Sequence, residues 1–425
     1  MPARWRQWTL MLLSVVAMYW LQPALPIRNL DFYLPLATLG LALGVWAVTA
    51  TAPFSRQDAL ALGLTAAVVI GLSATRYLIP ELRPTPSRPP ATAIVIVIIA
   101  VASGFGLPLW RWARGQGRAL ALALLGLIGV FIQMKTPALT ENLAAGLRTW
   151  AGQSTDLASV NDLQWLGFSY VAFRLIHLLR DRQSGRLPHL PLREHLTFVI
   201  FFPAFTAGPI DRAERFREDW ERLPTERLFA APRVTVGLGR IAVGLFKKFV
   251  LADTLALFAL NAANAEQLQT SAGAWLLLYA YAFRLYLDFS GYTDIAIGIG
   301  ILFGVTLPEN FDRPYLKNNI TAFWQSWHMT LSNWARFYVF SPLSRALLRR
   351  KPRPNPDLIV FASHLATMLV IGLWHGVTVN FMIWGAWHGV ALFIHKNGAT
   401  APAPGTAAWG SIRAARPPGL WRACC

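Results

Sequence analysis

The chain has 425 residues, of which 55% are hydrophobic and 14% are charged. A soluble domain usually carries about a quarter charged residues, so this composition excludes an ordinary soluble enzyme and indicates a polytopic membrane protein. The formal net charge is +18. The basic residues are nevertheless spread over short loops between apolar segments, which argues against a nucleic-acid partner.

Apolar segments long enough to cross the hydrocarbon core follow one another along the chain. We predict an all-α, polytopic integral membrane protein with about eleven transmembrane or re-entrant helices. Two arginines precede the first segment, but no small-residue cleavage site follows it, so we interpret it as a retained helix. The segments are 9–27, 30–50, 58–79, 91–110, 118–134, 158–179, 234–252, 272–290, 291–306, 357–373 and 378–396.

Arginine-rich loops predict which side of the protein is cytoplasmic. Loops 111–118, 180–194 and 211–233 carry three, four and six arginines and should lie inside. The last two can share a side only if 195–210 enters and leaves on one face, and its two prolines suit such a re-entrant element. Because six acids balance the six arginines of 211–233, an exposed helix on the membrane surface is the alternative for that loop.

Polar groups divide the chain into three parts. Residues 1–150 form N-terminal transmembrane helices without chemical motifs, whereas 158–397 hold nearly every polar group embedded in apolar sequence. The composition changes at 398–425, which we predict to be a disordered or atypical tail. Cys424 and Cys425 are the only cysteines, so no cysteine nucleophile or disulfide framework is expected within the membrane.

Three charged residues lie in the apolar segments between 272 and 306. Arg284 and Asp288 are four residues apart, and we predict an ion pair between them that supports the fold. Asp294 lies off that face, so the two acids are not expected to form an acid/base dyad.

Three histidines also lie in apolar sequence. His375 and His388 stand in two Trp-His-Gly triplets, and His328 shares helical spacing with Trp324 and Leu331. A single such histidine is more often a packing residue, but three ionisable groups at membrane depth favour a function. No His-Glu-x-x-His spacing or Gly-x-Ser-x-Gly elbow is present, so no metal site is expected. The pattern favours a histidine general base in a Trp-lined, membrane-embedded catalytic cavity.

Five motifs occur in a fixed order, and together they resemble a known family. They are "FRLYLDFSGYTDIAIGIGILFG", "LPENFDRPYL", "FWQSWHMTLSNW", "GLWHG" and "WGAWHG". This order resembles the membrane-bound O-acyltransferase (MBOAT) family over roughly residues 158–397. The upstream segments "LGFSYVAFRLIHLLRD", "FFPAFTAGPIDR" and "VGLFKKFVLAD" look like the bacterial branch of alginate O-acetyltransferases and D-alanyl transferases.

The resemblance implies roles for individual residues. The active-site histidine of the family matches His375, and its second functional position matches His328. The remaining positions that we expect to support the site are His388, Trp374, Trp327 and Asn333.

The chain also departs from the family pattern. The usual Arg-Arg before Trp-His is Gln325-Ser326 here, and the acid expected after Trp-x-Arg is Phe337. Members of the family usually continue with further helices beyond the position of Asn397, which leaves a truncation or a change of reading frame open.

The resemblance implies a reaction and its setting. The expected reaction moves an acyl group, acetyl by default, from a cytoplasmic thioester to hydroxyls of an exported polysaccharide or cell-envelope polymer. The donor would be acetyl-CoA or an acyl-carrier protein, with no permanently bound cofactor. Expected partners are the lipid bilayer, a periplasmic or extracellular acyltransferase and polysaccharide machinery, in the bacterial inner membrane.

Two other classes of protein stay open. A transporter or flippase also uses polar groups at membrane depth, but such proteins typically show inverted repeats. The polar residues here crowd into the second half of the chain. A catalytically impaired membrane scaffold of the same fold is the second alternative. The sequence does not specify the acceptor polymer, and acetyl is only the default acyl group.

Overall fold

The computed structural model describes residues 5–225, 227–228 and 230–400. This part of the chain is all-helical, as predicted. Its α-helices are α1 Arg6–Trp20, α2 Leu30–Thr49, α3 Arg56–Leu78, α4 Thr92–Ala113, α5 Gly117–Lys135, α6 Pro137–Trp150, α7 Phe168–Gln183, α8 Leu192–Val199, α9 Ala213–Arg222, α10 Ala231–Leu245, α11 Asp253–Phe258, α12 Ala262–Glu266, α13 Ser271–Leu302, α14 Ile320–Trp324, α15 Met329–Ala335, α16 Ser341–Leu348, α17 Pro356–His375 and α18 Val379–Thr400. Of the predicted tail, all that follows Thr400 lies outside the described residues.

Two π-helical segments join some of these helices into longer rods. Residues Phe246–Ala252 connect α10 to α11, and Arg336–Phe340 connect α15 to α16. Short 3-10 turns lie at Val160–Leu163, Phe202–Ala204 and Pro314–Leu316.

Six helices in the described part of the chain are long and apolar enough to cross a membrane. They are α2, α3, α4, α5, α13 and α17, with 19 to 32 residues each. A span needs about 20 predominantly apolar residues, so the predicted polytopic membrane architecture is confirmed. The predicted number of about eleven membrane segments is not confirmed by this count.

The predicted boundary near residue 290 is wrong. Segments 272–290 and 291–306 were expected as separate spans, but α13 runs through both as one helix of 32 residues. Asp288 and Asp294 lower the hydropathy in the middle of this stretch, and such a drop in hydropathy is typical of a loop between two spans. Both carboxylates instead have partners on the neighbouring α10 rod, so the helix continues past them.

The predicted ion pair between Arg284 and Asp288 is also wrong. Asp288 accepts a hydrogen bond from the Lys248 ammonium, and the described residues include no ion pair with Arg284. The side chain of Asp288 is 49% exposed, and such exposed pairs contribute about 0–1 kcal/mol. Spacing of four residues permits contact within one helix, but it does not exclude a closer cation on the next helix.

The segment expected to be re-entrant is too short to cross a bilayer. Helix α8 has 8 residues, which is about 12 Å of helix, and the 3-10 turn at Phe202–Ala204 follows it. Most side chains of both elements are buried. This geometry agrees with a re-entrant element, while the side of the membrane that it enters stays a prediction.

Loop 211–233 contains helix α9, which agrees with the alternative of an exposed helix, while its position on the membrane surface stays a prediction. On α9, Phe216 and Trp220 are buried, while Arg217 pairs with Glu221 along the exposed side at 2.7 Å. This amphipathic pattern suits a helix that lies on the protein surface.

Close packing of α17 against α18 depends on glycine. A Cβ atom added to Gly385 would lie 2.6 Å from the Met368 carbonyl oxygen, on backbone that cannot move aside cheaply. We expect Gly385→Leu to lower the thermal unfolding midpoint in detergent, because overpacking costs about 1–3 kcal/mol. An added Cβ on Gly71 would meet nothing within 4 Å, so Gly71→Leu is the matched control. Equal midpoints for the two variants would contradict this account.

Candidate active site

His328 stands at a sharp break between two short helices. It precedes α15 with φ of 42°, a left-handed conformation that non-glycine residues rarely adopt. The predicted continuous helical face through Trp324, His328 and Leu331 is therefore wrong. Such a backbone conformation costs about 1–3 kcal/mol and persists only where surrounding contacts hold it.

Asn310, which is fully buried, supplies those contacts. Its backbone carbonyl accepts from the Met329 N–H at 2.9 Å. Its Oδ1 atom accepts from the Thr330 hydroxyl at 2.6 Å and lies 3.2 Å from Nδ1 of His328. The loop before α14 and the start of α15 are thereby joined around the histidine.

These bonds decide which nitrogen of His328 carries hydrogen. The Thr330 backbone N–H points at the same Asn310 atom at 3.4 Å, so that atom acts as the amide oxygen and accepts only. Nδ1 of neutral His328 must then be the donor, and Nε2 holds the lone pair. Nε2 is buried and has no hydrogen-bond partner, which leaves a basic nitrogen available for chemistry.

Aromatic rings form the walls around His328. Phe289 of α13 meets the imidazole edge-on at 4.8 Å between ring centroids. Tyr170 of α7 stacks at 6.5 Å, and Trp374 of α17 lies edge-on at 5.9 Å. The histidine is only 3% exposed, so the walls shield its free nitrogen from bulk water.

His375 is the last residue of α17 and lies beside the same tryptophan. Its ring is 4.5 Å from that of Trp374, and it stacks on Phe381 at 5.4 Å. His375 is exposed, and no hydrogen bond to its ring is found among the described residues. The structure thus brings His328 and His375 together on Trp374, whose own Nε1 atom is buried without a partner.

His388 has a different environment. Its Nδ1 atom donates to the Trp384 carbonyl at 2.9 Å, one turn earlier on α18. Trp384 packs against His388 at 4.4 Å and against His375 at 5.6 Å, so it lies between the two histidines. This arrangement suits the supporting role expected of His388.

The structure does not place the other two expected supporting residues at the histidine pair. The Trp327 ring packs in an aromatic cluster with Phe311 at 5.2 Å and Tyr315 at 5.7 Å. Asn333 is exposed and lines a separate cavity of about 480 Å³ with Gln325. Asn310 and Trp384 take the positions next to the histidines. Sequence reasoning missed both, because Asn310 is 18 residues from His328 and the periodicity around it gives no signal.

A second polar cluster contains residue types that bind metals. His177, Asp181 and Glu214 have ligand atoms within 4.8 Å of one another. Nε2 of His177 already accepts from the Ala213 N–H at 3.1 Å, and Nδ1 is 2.5 Å from the Tyr338 hydroxyl. Both histidine nitrogens are therefore engaged, and the cluster does not fit a metal ion. The absence of a bound metal stays a prediction.

The fold and this site define a class. The described residues form a polytopic membrane protein. Its site places the buried basic nitrogen of His328 and the exposed imidazole of His375 against the same tryptophan, Trp374. Such an arrangement is able to remove a proton from a hydroxyl.

The chain belongs to the membrane-bound O-acyltransferase family, MBOAT, whose model matches residues 125–399. The chain is 35% identical over 238 residues to a teichoic acid D-alanyltransferase of Streptococcus thermophilus, covering 55% of this chain and 57% of that protein. It is 38% identical over 232 residues to a probable alginate O-acetylase of Pseudomonas syringae pv. tomato, covering 54% and 42% respectively. For a peptidoglycan O-acetyltransferase of Helicobacter pylori the identity is 37% over 203 residues, covering 48% and 37%. The matched region thus spans about half the length of these relatives or less.

Proposed function

We propose that the chain carries the catalytic core of an O-acyltransferase that acylates hydroxyls of an exported polysaccharide or cell-envelope polymer. The observation that carries this proposal is the free Nε2 atom of buried His328, beside exposed His375, at membrane depth. The similarity to an alginate O-acetylase and a peptidoglycan O-acetyltransferase supports the acceptor class.

The proposed chemistry needs little more than a base. A thioester is already activated, so the acceptor hydroxyl attacks its carbonyl carbon while an imidazole takes the hydroxyl proton. His375 can reach an incoming acceptor because it is exposed, and it serves as the base. Protonated His375 then returns that proton to the departing thiolate, while the ring of His328 orients the reacting groups.

The site favours a neutral acyl group such as acetyl. A D-alanyl group carries an ammonium, which needs a carboxylate or several carbonyls where water is excluded. In the part of the chain that the structure describes, no carboxylate contacts either histidine. The ammonium of Lys135 acts on His375, and it repels a second cation.

The setting follows from the reaction. The donor is a cytoplasmic thioester, acetyl-CoA or an acyl-carrier protein, and the polymer approaches from the other face of the bacterial inner membrane. A periplasmic acyltransferase and polysaccharide machinery are the partners that would take the product onward.

The test is acyl transfer by the full chain in proteoliposomes. Radiolabelled acetyl-CoA or acetylated carrier protein is supplied on one side, and hydroxyl-bearing oligosaccharides on the other. We expect label on the oligosaccharide, in an amount that depends on His375. Movement of oligosaccharide across the membrane without acyl transfer would favour a transporter. The absence of both acyl transfer and transport would favour a scaffold.

A further inference from the structure

Lys135 ends α5 beside the proposed base. The Val377 N–H, two residues after His375, donates to the Lys135 carbonyl at 2.9 Å. The ammonium lies 6.0 Å from the centroid of Phe131, and its charge acts on the His375 ring. The end of α5 is therefore tied to the end of α17 next to His375.

This lysine has no anionic partner among the described residues. Its side chain is half-buried, and no carboxylate lies within ion-pair distance of it. Arg148, on the following helix, is paired with Asp162 at 2.5 Å, and hydrogen bonding to that arginine lowers the pKa of Asp162. Unlike Arg148, Lys135 therefore has no counter-ion among the described residues.

An uncompensated ammonium near membrane depth is unfavourable unless something offsets it. The carbonyl end of α5 helps, because a helix C-terminus attracts positive charge. Extension of the lysine toward water would also help, and that is the purely structural explanation. Neither the helix end nor extension toward water explains why the charge of Lys135 lies next to His375, the histidine that the proposed reaction uses.

We infer that Lys135 is an anion-binding subsite for the acceptor, which holds a carboxylate or phosphodiester of an acidic polymer so that a nearby hydroxyl reaches His375. This inference rests on the proposed function. Helix α5 begins after the arginine-rich loop 111–118, so Lys135 lies at the opposite end, about 27 Å away along the helix, on the predicted outer side. That is the side from which an exported polymer approaches.

The experiment measures binding and transfer separately on the full chain in nanodiscs. An oligouronate, a glycerol-phosphate oligomer and a neutral glucan oligomer are titrated by calorimetry, and the same oligomers serve as acceptors. We expect Lys135→Gln to weaken binding of the acidic oligomers about tenfold, as loss of a charged hydrogen bond would. The variant should raise KM for the acidic acceptors and bind the neutral oligomer as the unmodified protein does, whereas any change of kcat through the charge beside His375 should be the same for all three acceptors.

The controls separate this subsite from a structural role. Lys135→Arg should restore most of the affinity, and Lys351→Gln, which removes an exposed lysine from the loop before α17, should have no effect. Which acidic oligomer binds more tightly tells carboxylate from phosphodiester recognition. Equal affinity of Lys135→Gln and the unmodified protein for both acidic oligomers would overturn the inference, even if acyl transfer is observed. Binding that depends on Lys135 without any acyl transfer would uphold the subsite and refute the proposed function.

Discussion

Replacement of His375 by alanine is expected to abolish acyl transfer, while the protein still inserts and purifies normally. The imidazole is exposed and makes no hydrogen bond among the described residues, so its removal strands no partner. Alanine also suits the last turn of a helix. A general base contributes about 100- to 10,000-fold to the rate, and we expect a loss of that size in the proteoliposome assay.

The choice of replacement makes this prediction specific. Glutamine keeps hydrogen bonding but lacks a basic nitrogen, so His375→Gln should be as inactive as the alanine variant. His388→Ala is the matched control, because its ring already donates to the Trp384 carbonyl. It should retain most of the activity. Near-normal turnover by His375→Gln would remove His375 from the role of base.

Loss of the Asn310 amide is expected to have the second largest effect. Asn310→Ala removes the acceptor that keeps hydrogen on Nδ1 of His328, so the free lone pair no longer stays on Nε2. We expect transfer to fall by about 100-fold or more, as for other losses of a positioned proton-transfer group. Thermal midpoints measured in parallel show whether the fold survives the loss.

Asn310→Asp tests positioning rather than stability. A carboxylate keeps the acceptor but favours the charged imidazolium, so the pKa of His328 rises. The titratable groups that face His328 are Tyr170 and His375. The carboxylate of Asp294 is already bound to Arg240 and Lys247. A reaction that requires neutral His328 should then lose activity near neutral pH and recover it as the pH increases.

The measurement is the pH dependence of kcat/KM for Asn310→Asp, the unmodified protein and Asn318→Ala. Asn318 is exposed and should leave the profile in place. An acidic limb that stays at the same pH in Asn310→Asp would show that Asn310 acts only on the fold.

Sequence reasoning identified the membrane class and the paired histidines for a physical reason. A histidine in apolar sequence is costly, so its presence is itself a signal. Asn310 carries no such signal, because an amide in a loop with two prolines looks like an ordinary turn residue. Its role comes from the fold of the loop between α13 and α14, which periodicity does not describe.

The errors have a common origin in contacts between helices. Spacing of four residues suggested a partner for Asp288 on its own helix, yet Lys248 comes from 40 residues away. Helical spacing through His328 was present, but buried hydrogen bonds from Asn310 hold a left-handed turn there instead. Both outcomes depend on tertiary structure that local patterns do not contain.

The length of α13, which has 32 residues, indicates how far below the membrane surface the proposed active site lies. Such a helix is about 48 Å long, well beyond a hydrocarbon core of about 30 Å. Trp275 and Tyr281 are exposed near its first turns, where aromatic rings favour the bilayer interface. Phe289, which meets His328, lies about 12 Å further along the helix. If the chain acts on a polymer as proposed, the acceptor hydroxyl must reach well below the headgroups, which a single extended strand or a chain end can do more readily than a folded or bundled polymer.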